Sequence, residues 1–490
     1  MPGELFLGLD VGTQGTKGLL VDAEAHAVVA RASASYGLIE GLPAGAAEQH
    51  PSTWIDAVRD VAAELFRDRG ADRARVAGVG VSGQQHGLVA LDDRGDVLRP
   101  AKLWCDTSTA IEADELSQRL GARVPVGYTA SKVLWMARRE PELWKRARTV
   151  MVPHDYVNFR LTGVRAAEAG DASGTGYFDV RERRYDLDRA AAIDARLPEL
   201  LPPLTAGSAP LSRAGAALLG LPEGIPVAPG SGDNMCSALG SGATRPGVAT
   251  LSLGTSATVF GFSEVPVVDP EGLIAPFCDA TGGWLPLLCV MNATGVTEEV
   301  RRATGLDHET LTARAAKVEP GCGGVLWIPY LAGERVPDLP RATGSIHGLR
   351  AGSLAPGVLY RAAIEGVALN IAWGVERMRA LGIAVDRVRV VGGAARNRLW
   401  CRVLADVLQI PLVRLAEPES AALGAAIQAA WIVRRERGES VSADAVACEF
   451  VRLVGEPIEP GADYREAASR FRAAVENCAR ALSAVDSKPR

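Results

Sequence analysis

The sequence predicts an α/β protein of two large domains that share a cleft, and three observations predict it. The chain has 490 residues, too many for one growing core and about right for two domains. Two glycine-threonine turns, far apart, each follow a strand-like run: Gly8-Leu9-Asp10-Val11-Gly12-Thr13-Gln14-Gly15-Thr16-Lys17 and Leu251-Ser252-Leu253-Gly254-Thr255-Ser256. The second run repeats the strand–turn–strand pattern of the first. This weak echo places a boundary near 246 and divides the chain into 1–245 and 246–490. Such turns leave backbone N–H groups free to face an anion, so the pair suggests a phosphate gripped between two domains. That arrangement suits ATP better than it suits a scaffold.

Each element has a local reason. Residues 6–10 form an apolar strand ending in an acid, and 17–22 and 27–30 continue the pattern. Three strands joined by short turns point to antiparallel pairing. Pro51-Ser52-Thr53-Trp54 starts a helix with Trp54, Val58, Ala62 and Leu65 on one face. Residues 76–81 form a strand leading into Ser82-Gly83-Gln84-Gln85-His86-Gly87, and 88–91 form another before a turn at 92–95. A helix is expected over 141–147, and a strand ending at Met151-Val152-Pro153. The segment 105–225 reads as mixed helix and loop, an elaboration of the first domain. After Gly230-Ser231-Gly232-Asp233-Asn234 a helix is expected to end near 240–247. Strands follow at 249–253, 257–260 and 388–391, and a helix at 399–408 with Leu399, Val403 and Val407 on one face.

Composition narrows the function. The formal net charge is −5, and no basic stripe argues for nucleic acid. Eight cysteines are scattered without a C-x-x-C pair, which argues against a zinc site or a disulfide framework and fits a reducing cytosol. The N-terminus has no basic leader. The longest apolar stretch, 421–433, is interrupted by Gln428 and too short to span a bilayer. It reads as a buried helix, so no membrane partner is expected.

Several clusters carry chemistry. Asp10 ends a strand, where its carboxylate can hold Mg²⁺ directly or through water. Thr13, Thr16 and the turn amides can donate to phosphate. Lys17 can neutralise charge or point into solvent, and a tight hairpin with a capping Asp is the plain alternative. The segment is no Walker A loop. Gly392-Gly393-Ala394-Ala395-Arg396-Asn397 follows a strand and opens a helix, leaving room for a flat ring or a pyrophosphate, or for close strand–helix packing. Asp233 stands at an expected helix start, either as an N-cap or as a base that takes a hydroxyl proton. Gln84-Gln85-His86 offers neutral hydrogen bonds suited to sugar hydroxyls, and Trp104-Cys105-Asp106 adds an apolar face and an acceptor. Gly333-Glu334-Arg335 receives no chemical step.

The segments Gly8–Thr13, Gly83-Gln84-Gln85-His86-Gly87, Leu103-Trp104-Cys105-Asp106, Gly232-Asp233-Asn234, Ser252–Ser256, Tyr330–Arg335 and Gly392–Arg396, in this order, resemble the FGGY superfamily of carbohydrate kinases. The xylulokinase pattern is the nearest within it. The resemblance spans residues 5 to about 480. It implies two ribonuclease-H-like domains in the hexokinase/actin-like arrangement around an interdomain cleft, with sugar mostly on the first and nucleotide on the second. It implies ATP and Mg²⁺, Asp233 as general base, and Asp10 and Asp233 as metal ligands. Sugar contacts fall to Gln85, His86, Trp104, Asp106, Asp233 and Asn234. Nucleotide contacts fall to Thr13, Gln14, Thr16, Lys17, Gly254, Thr255, Ser256, Gly392, Gly393, Ala394 and Asn397. Two positions depart from the pattern: Gln85 stands where methionine is usual, and Ala394 where a third glycine is usual. The implied reaction is ATP-dependent phosphorylation of D-xylulose to D-xylulose 5-phosphate. Another pentulose or a pentitol is the close alternative, and a non-catalytic actin-like ATP module the distant one. A homodimer is left open.

Overall fold

The computed structural model describes residues 3–486. The echo between the two turns is a repeated sheet. In the first, Leu5–Val11 pairs antiparallel with Gly15–Asp22, which pairs antiparallel with Ala27–Ser35. On its other side Leu5–Val11 runs parallel to Val76–Gly83, which runs parallel to Pro226–Val227 and Ser231–Gly232. In the second, Gly247–Leu253 pairs antiparallel with Ala257–Gly261, followed by Trp284–Val290 and Ile274–Cys278. Its other neighbour is the parallel strand Val385–Val391, then Leu412–Leu415. Each sheet is a meander that feeds parallel strands, which is the ribonuclease-H-like pattern. Leu5, Phe6, Leu7, Gly8 and Leu9 are buried without alternation, as expected of a central strand covered on both faces.

The Pro51–Leu65 helix has proline in its first turn and buries Trp54, Val58, Ala62 and Leu65 against the first sheet. The strand expected to end at 151–153 stops at Met151, spanning Thr149–Met151, and Pro153 instead opens the helix Pro153–Thr162. Proline at the first helical position gives up no hydrogen bond. Within 105–225, Leu116, Val133, Met136, Trp144, Ile193 and Leu197 form a hydrophobic cluster of their own. The Pro356–Ala380 helix, which the sequence reading did not assign, is long and apolar enough to cross a membrane. However, 78% of its most apolar window is buried inside the protein, so it is a core helix. Apolar residues surround it, so a search for one apolar face does not find it.

Two helices join the halves. Asp233–Ser241 follows the first sheet and Ser420–Glu436 follows the second. The Ser420–Glu436 helix lies on Leu5–Val11 and Val76–Gly83 of the first sheet and crosses Asp233–Ser241. The crossing is a backbone contact. A Cβ on Gly240 would lie 1.8 Å from the Ser420 carbonyl oxygen, so no larger residue fits.

Candidate active site

Strand register assembles the site. Asp10 lies opposite Ser82, and Ser82 opposite Ser231. One residue further, Val11 lies opposite Gly83, and Gly83 opposite Gly232. Three adjacent strands therefore release Asp10, Gln84-Gln85-His86 and Asp233 at one edge. Carboxyl ends of parallel strands are the usual ligand edge of an α/β sheet.

Asp233 is the first residue of its helix and is half-buried. Its Oδ1 accepts from the backbone N–H of Asn234 at 2.8 Å and from Asn234 Nδ2 at 3.0 Å. Burial pushes its carboxyl up to about 7, and the negative charges of Asp10 and Asp171 push the same way. A carboxylate poised near neutrality matches the demands of a general base. Asp10 Oδ1 accepts from Ser82 Oγ at 2.8 Å. Burial raises Asp10 too, while Ser82 and Lys17 pull it back.

The first turn is held by a closed circuit of polar side chains. Thr13 Oγ1 donates to Gln84 Oε1 at 3.0 Å and accepts from Trp104 Nε1 at 2.9 Å. Gln49 Nε2 donates to the Thr13 carbonyl at 2.7 Å, and Gln49 Oε1 accepts from Gln84 and Trp54. The sequence does not mark Gln49, because an isolated glutamine has no signature, and Gln84, expected to serve sugar hydroxyls, is engaged by Thr13 and Gln49 instead. Trp104 keeps 43% of its surface exposed while its N–H anchors the turn.

Four expected ligand contacts are redirected. Thr16 is fully buried, with its hydroxyl 3.2 Å from the Tyr36 hydroxyl. Lys17 points outward and pairs with Glu419, which the strand alternation allowed. Asp106 is fully buried: Oδ2 accepts from Ala47 N and Lys102 Nζ, and Oδ1 from Ser108 N and Oγ. It ties down a loop and presents no oxygen to a sugar. Asn397 caps the Arg398–Leu408 helix through Oδ1, and its Nδ2 donates to Thr312 Oγ1 at 2.8 Å. Gln14 lies exposed beside the first turn.

The sugar side is aromatic as well as polar. His86 adopts a left-handed backbone, φ 64°, and stacks on Tyr128 with ring centroids 4.6 Å apart. Phe277, from the second sheet, lies 5.8 Å from His86. Burial pushes the His86 imidazole down to about 3, with Lys132 adding to it, so the ring is neutral at physiological pH. Its Nδ1 is buried without a hydrogen-bond partner. A neutral imidazole with an unused nitrogen suits a hydroxyl group. Gln85 is buried, and its Oε1 accepts from Asn234 Nδ2 at 2.9 Å. Tyr128 and Phe277 escaped the sequence reading because the wall they build joins two domains.

On the nucleotide side, Gly254 and Thr255 are exposed and Ser256 is half-buried. Thr294 fixes that turn, donating to the Gly254 carbonyl through N at 3.0 Å and through Oγ1 at 2.8 Å. Ser252 lies opposite Val391, so Gly392 and Gly393 emerge beside the same turn, both exposed. Gly392 has φ 91° and abuts the Leu253 carbonyl, a conformation that requires glycine. Ala394 packs against the second core. Thr258, two residues past Ser256, donates to Asn234 Oδ1 at 3.3 Å. This bond brings the second turn's hairpin to the residue beside Asp233, so both turns face one cleft.

The donors suit a magnesium nucleotide. Among the described residues no cluster of three or more His, Cys, Asp or Glu side chains could hold a metal alone. The charge of Asp10 adds to the cost of ionising Asp233. Magnesium is commonly held by one or two carboxylates with phosphate oxygens and water completing its shell, and this pair fits that pattern.

Known proteins share this plan. The N-terminal domain of the FGGY family of carbohydrate kinases matches residues 5–240, and its C-terminal domain matches 249–433. The chain is 38% identical to a xylulose kinase of Haemophilus influenzae over 87% of this chain and 90% of that protein. It is 38% identical to a xylulose kinase of Streptomyces coelicolor over 90% of both. The crystal structure of a xylulose kinase from Rhodospirillum rubrum superposes with a TM-score of 0.86 at 31% identity, covering 99% of this chain and 100% of that one. With the paired ribonuclease-H-like sheets and the shared cleft, these matches show that the chain belongs to the FGGY family of carbohydrate kinases and is an ATP-dependent sugar kinase.

Proposed function

We propose that the enzyme transfers the γ-phosphoryl group of ATP to the terminal hydroxyl of D-xylulose, giving D-xylulose 5-phosphate. The observation that carries this reading is Asp233, raised to about 7 at the edge where sugar-side and phosphate-side turns meet. Its carboxylate takes the proton of the attacking hydroxyl. Phosphoryl transfer asks little more of a protein than such a base, in-line placement and neutralised oxygens. Neutral His86 and the ring of Trp104 orient the sugar, and Gln85 acts beside them. Gly254–Ser256 and Gly392–Gly393 receive the nucleotide through backbone N–H groups. Asp10, with Asp233 beside it, would hold the magnesium of MgATP, whose charge offsets that of the phosphate oxygens.

The lobes are taken as 1–245 and 246–490. Eight free cysteines support a reducing, cytoplasmic compartment. The substrate assignment is supported by the xylulose kinases to which the chain is similar, and Gln85 is the position that keeps another pentulose or a pentitol as the second reading. ADP release measured with D-xylulose, D-ribulose, L-xylulose, xylitol and D-arabinitol tests it. The highest kcat/KM should belong to D-xylulose, and a preference for a polyol would overturn the substrate while leaving the kinase.

A further inference from the structure

Behind Asp233 the first domain buries an ion cluster that phosphoryl transfer, as described, does not use. His154 is fully buried at the start of its helix. Its Nδ1 lies 2.7 Å from Asp171 Oδ2, and its Nε2 lies 3.1 Å from Asp155 Oδ1. Burial pulls the imidazole down, but the charges of Asp155, Asp171 and Glu168 overcome it and raise the group to about 10. Glu168 accepts from Asp171 N at 2.6 Å, from Gly170 N at 2.7 Å and from Ser231 Oγ at 2.6 Å. Asp171 is thus fixed at its backbone by Glu168 and at one carboxylate oxygen by His154.

Its other oxygen, Oδ1, is buried with no hydrogen-bond partner, and so is Gln85 Nε2. One is an acceptor without a donor, the other a donor without an acceptor. Gln85 Nε2 lies against Gly232, next to the Ser231 that is bonded to Glu168. Burial raises the Asp171 carboxyl, while His154 and the Gln85 amide pull it back. At its far end Gln85 Oε1 accepts from Asn234 Nδ2 at 2.9 Å, and that same nitrogen donates to Asp233 Oδ1 at 3.0 Å.

We infer that Asp171 is a positioning residue for the base: its Oδ1 accepts from Gln85 Nε2, and through Gln85 and Asn234 it orients the Asp233 carboxylate. An ionised carboxylate only accepts, so it admits one orientation of the Gln85 amide. The flipped amide would set its NH₂ against the Asn234 NH₂ and its carbonyl oxygen against a carboxylate that has no proton to donate. The relay deepens the kinase reading above and rests on it for its kinetic consequence. It also gives Gln85 a task that a methionine cannot perform.

The test uses the full-length enzyme carrying Gln85→Met, Gln85→Glu, Asp171→Asn, and Gln85→Glu with Asp171→Asn together. Gln85→Met should lower kcat/KM for the sugar by roughly tenfold and leave KM for ATP within about twofold. Gln85→Glu sets carboxylate against carboxylate and should fall about tenfold further. In the double variant the new amide at 171 donates to the new carboxylate at 85, and sugar kcat/KM should return to at least the level of Gln85→Met. Equal losses in Gln85→Met and Gln85→Glu would overturn the inference, and that comparison decides even where Asp171→Asn yields no folded protein. A soluble double variant no better than Gln85→Glu would overturn it too. The thermal midpoints should follow the same order and need no turnover. An enzyme inert on every sugar would therefore sink the kinase reading, while the midpoints still decide this contact.

Discussion

Gly424 approaches Cys236 so closely that a methyl group on it would lie 1.7 Å from the Cys236 carbonyl oxygen. The two residues sit on the two crossing helices, one following each sheet. Ser237 and Ser420 share a hydrogen bond at the same crossing, 2.7 Å long. Because one of these helices begins at Asp233, the contact that sets the angle between the halves also sets the height of the base. Gly424→Ala is expected to cost about 1–3 kcal/mol, since the helices must part to admit the methyl group. Urea unfolding reads this directly, and an unchanged midpoint would show that the crossing has slack.

Asp233→Ala should fold, bind ATP and lose turnover by roughly 10²–10⁴ in kcat. Calorimetric titration with MgATP, beside steady-state kinetics, separates binding from chemistry. A kcat near wild type at saturating sugar would mean that another group takes the proton.

The pH dependence follows from Asp233 raised to about 7. Below that value the carboxyl is protonated and cannot accept, so kcat/KM should fall about tenfold per pH unit on the acid side. Stability has the opposite slope. A carboxyl raised in the folded state ionises more readily in the unfolded chain, so its contribution is present below the ordinary carboxylate pKa of about 4 and lost as pH rises to about 7. Asp233→Asn should therefore raise the thermal midpoint relative to wild type at about pH 8 and not at about pH 4. An identical difference at both would contradict the assignment.

Trp104→Phe keeps an apolar ring beside the first turn and removes the donor to Thr13. Loss of one such bond corresponds to about 1 kcal/mol, or roughly fivefold in kcat/KM. Unaltered kinetics would show that Gln49 and Gln84 hold the turn without it.

Much of this site was legible from local chemistry. An apolar run that ends in Asp10 and a glycine turn, or a glycine loop that opens a helix at Asp233, carries its reading in adjacent residues. The residues misplaced by that reasoning are those whose partners are remote. Thr16 is taken by Tyr36, Lys17 by Glu419, Asp106 by Ala47 and Asn397 by Thr312. Nothing local distinguishes a threonine aimed at phosphate from one aimed at a buried tyrosine. Phe277 was hidden for a related reason. It packs beside His86 only after the two sheets have come together.

The most direct measurement follows the product by ³¹P NMR when wild type and Asp233→Ala are given MgATP and D-xylulose. The account predicts ADP and a single pentulose 5-phosphate resonance from wild type, with the variant binding ATP but forming product at least about a hundred times more slowly. ATP binding without sugar phosphate from wild type, or equal product from both proteins, would contradict it.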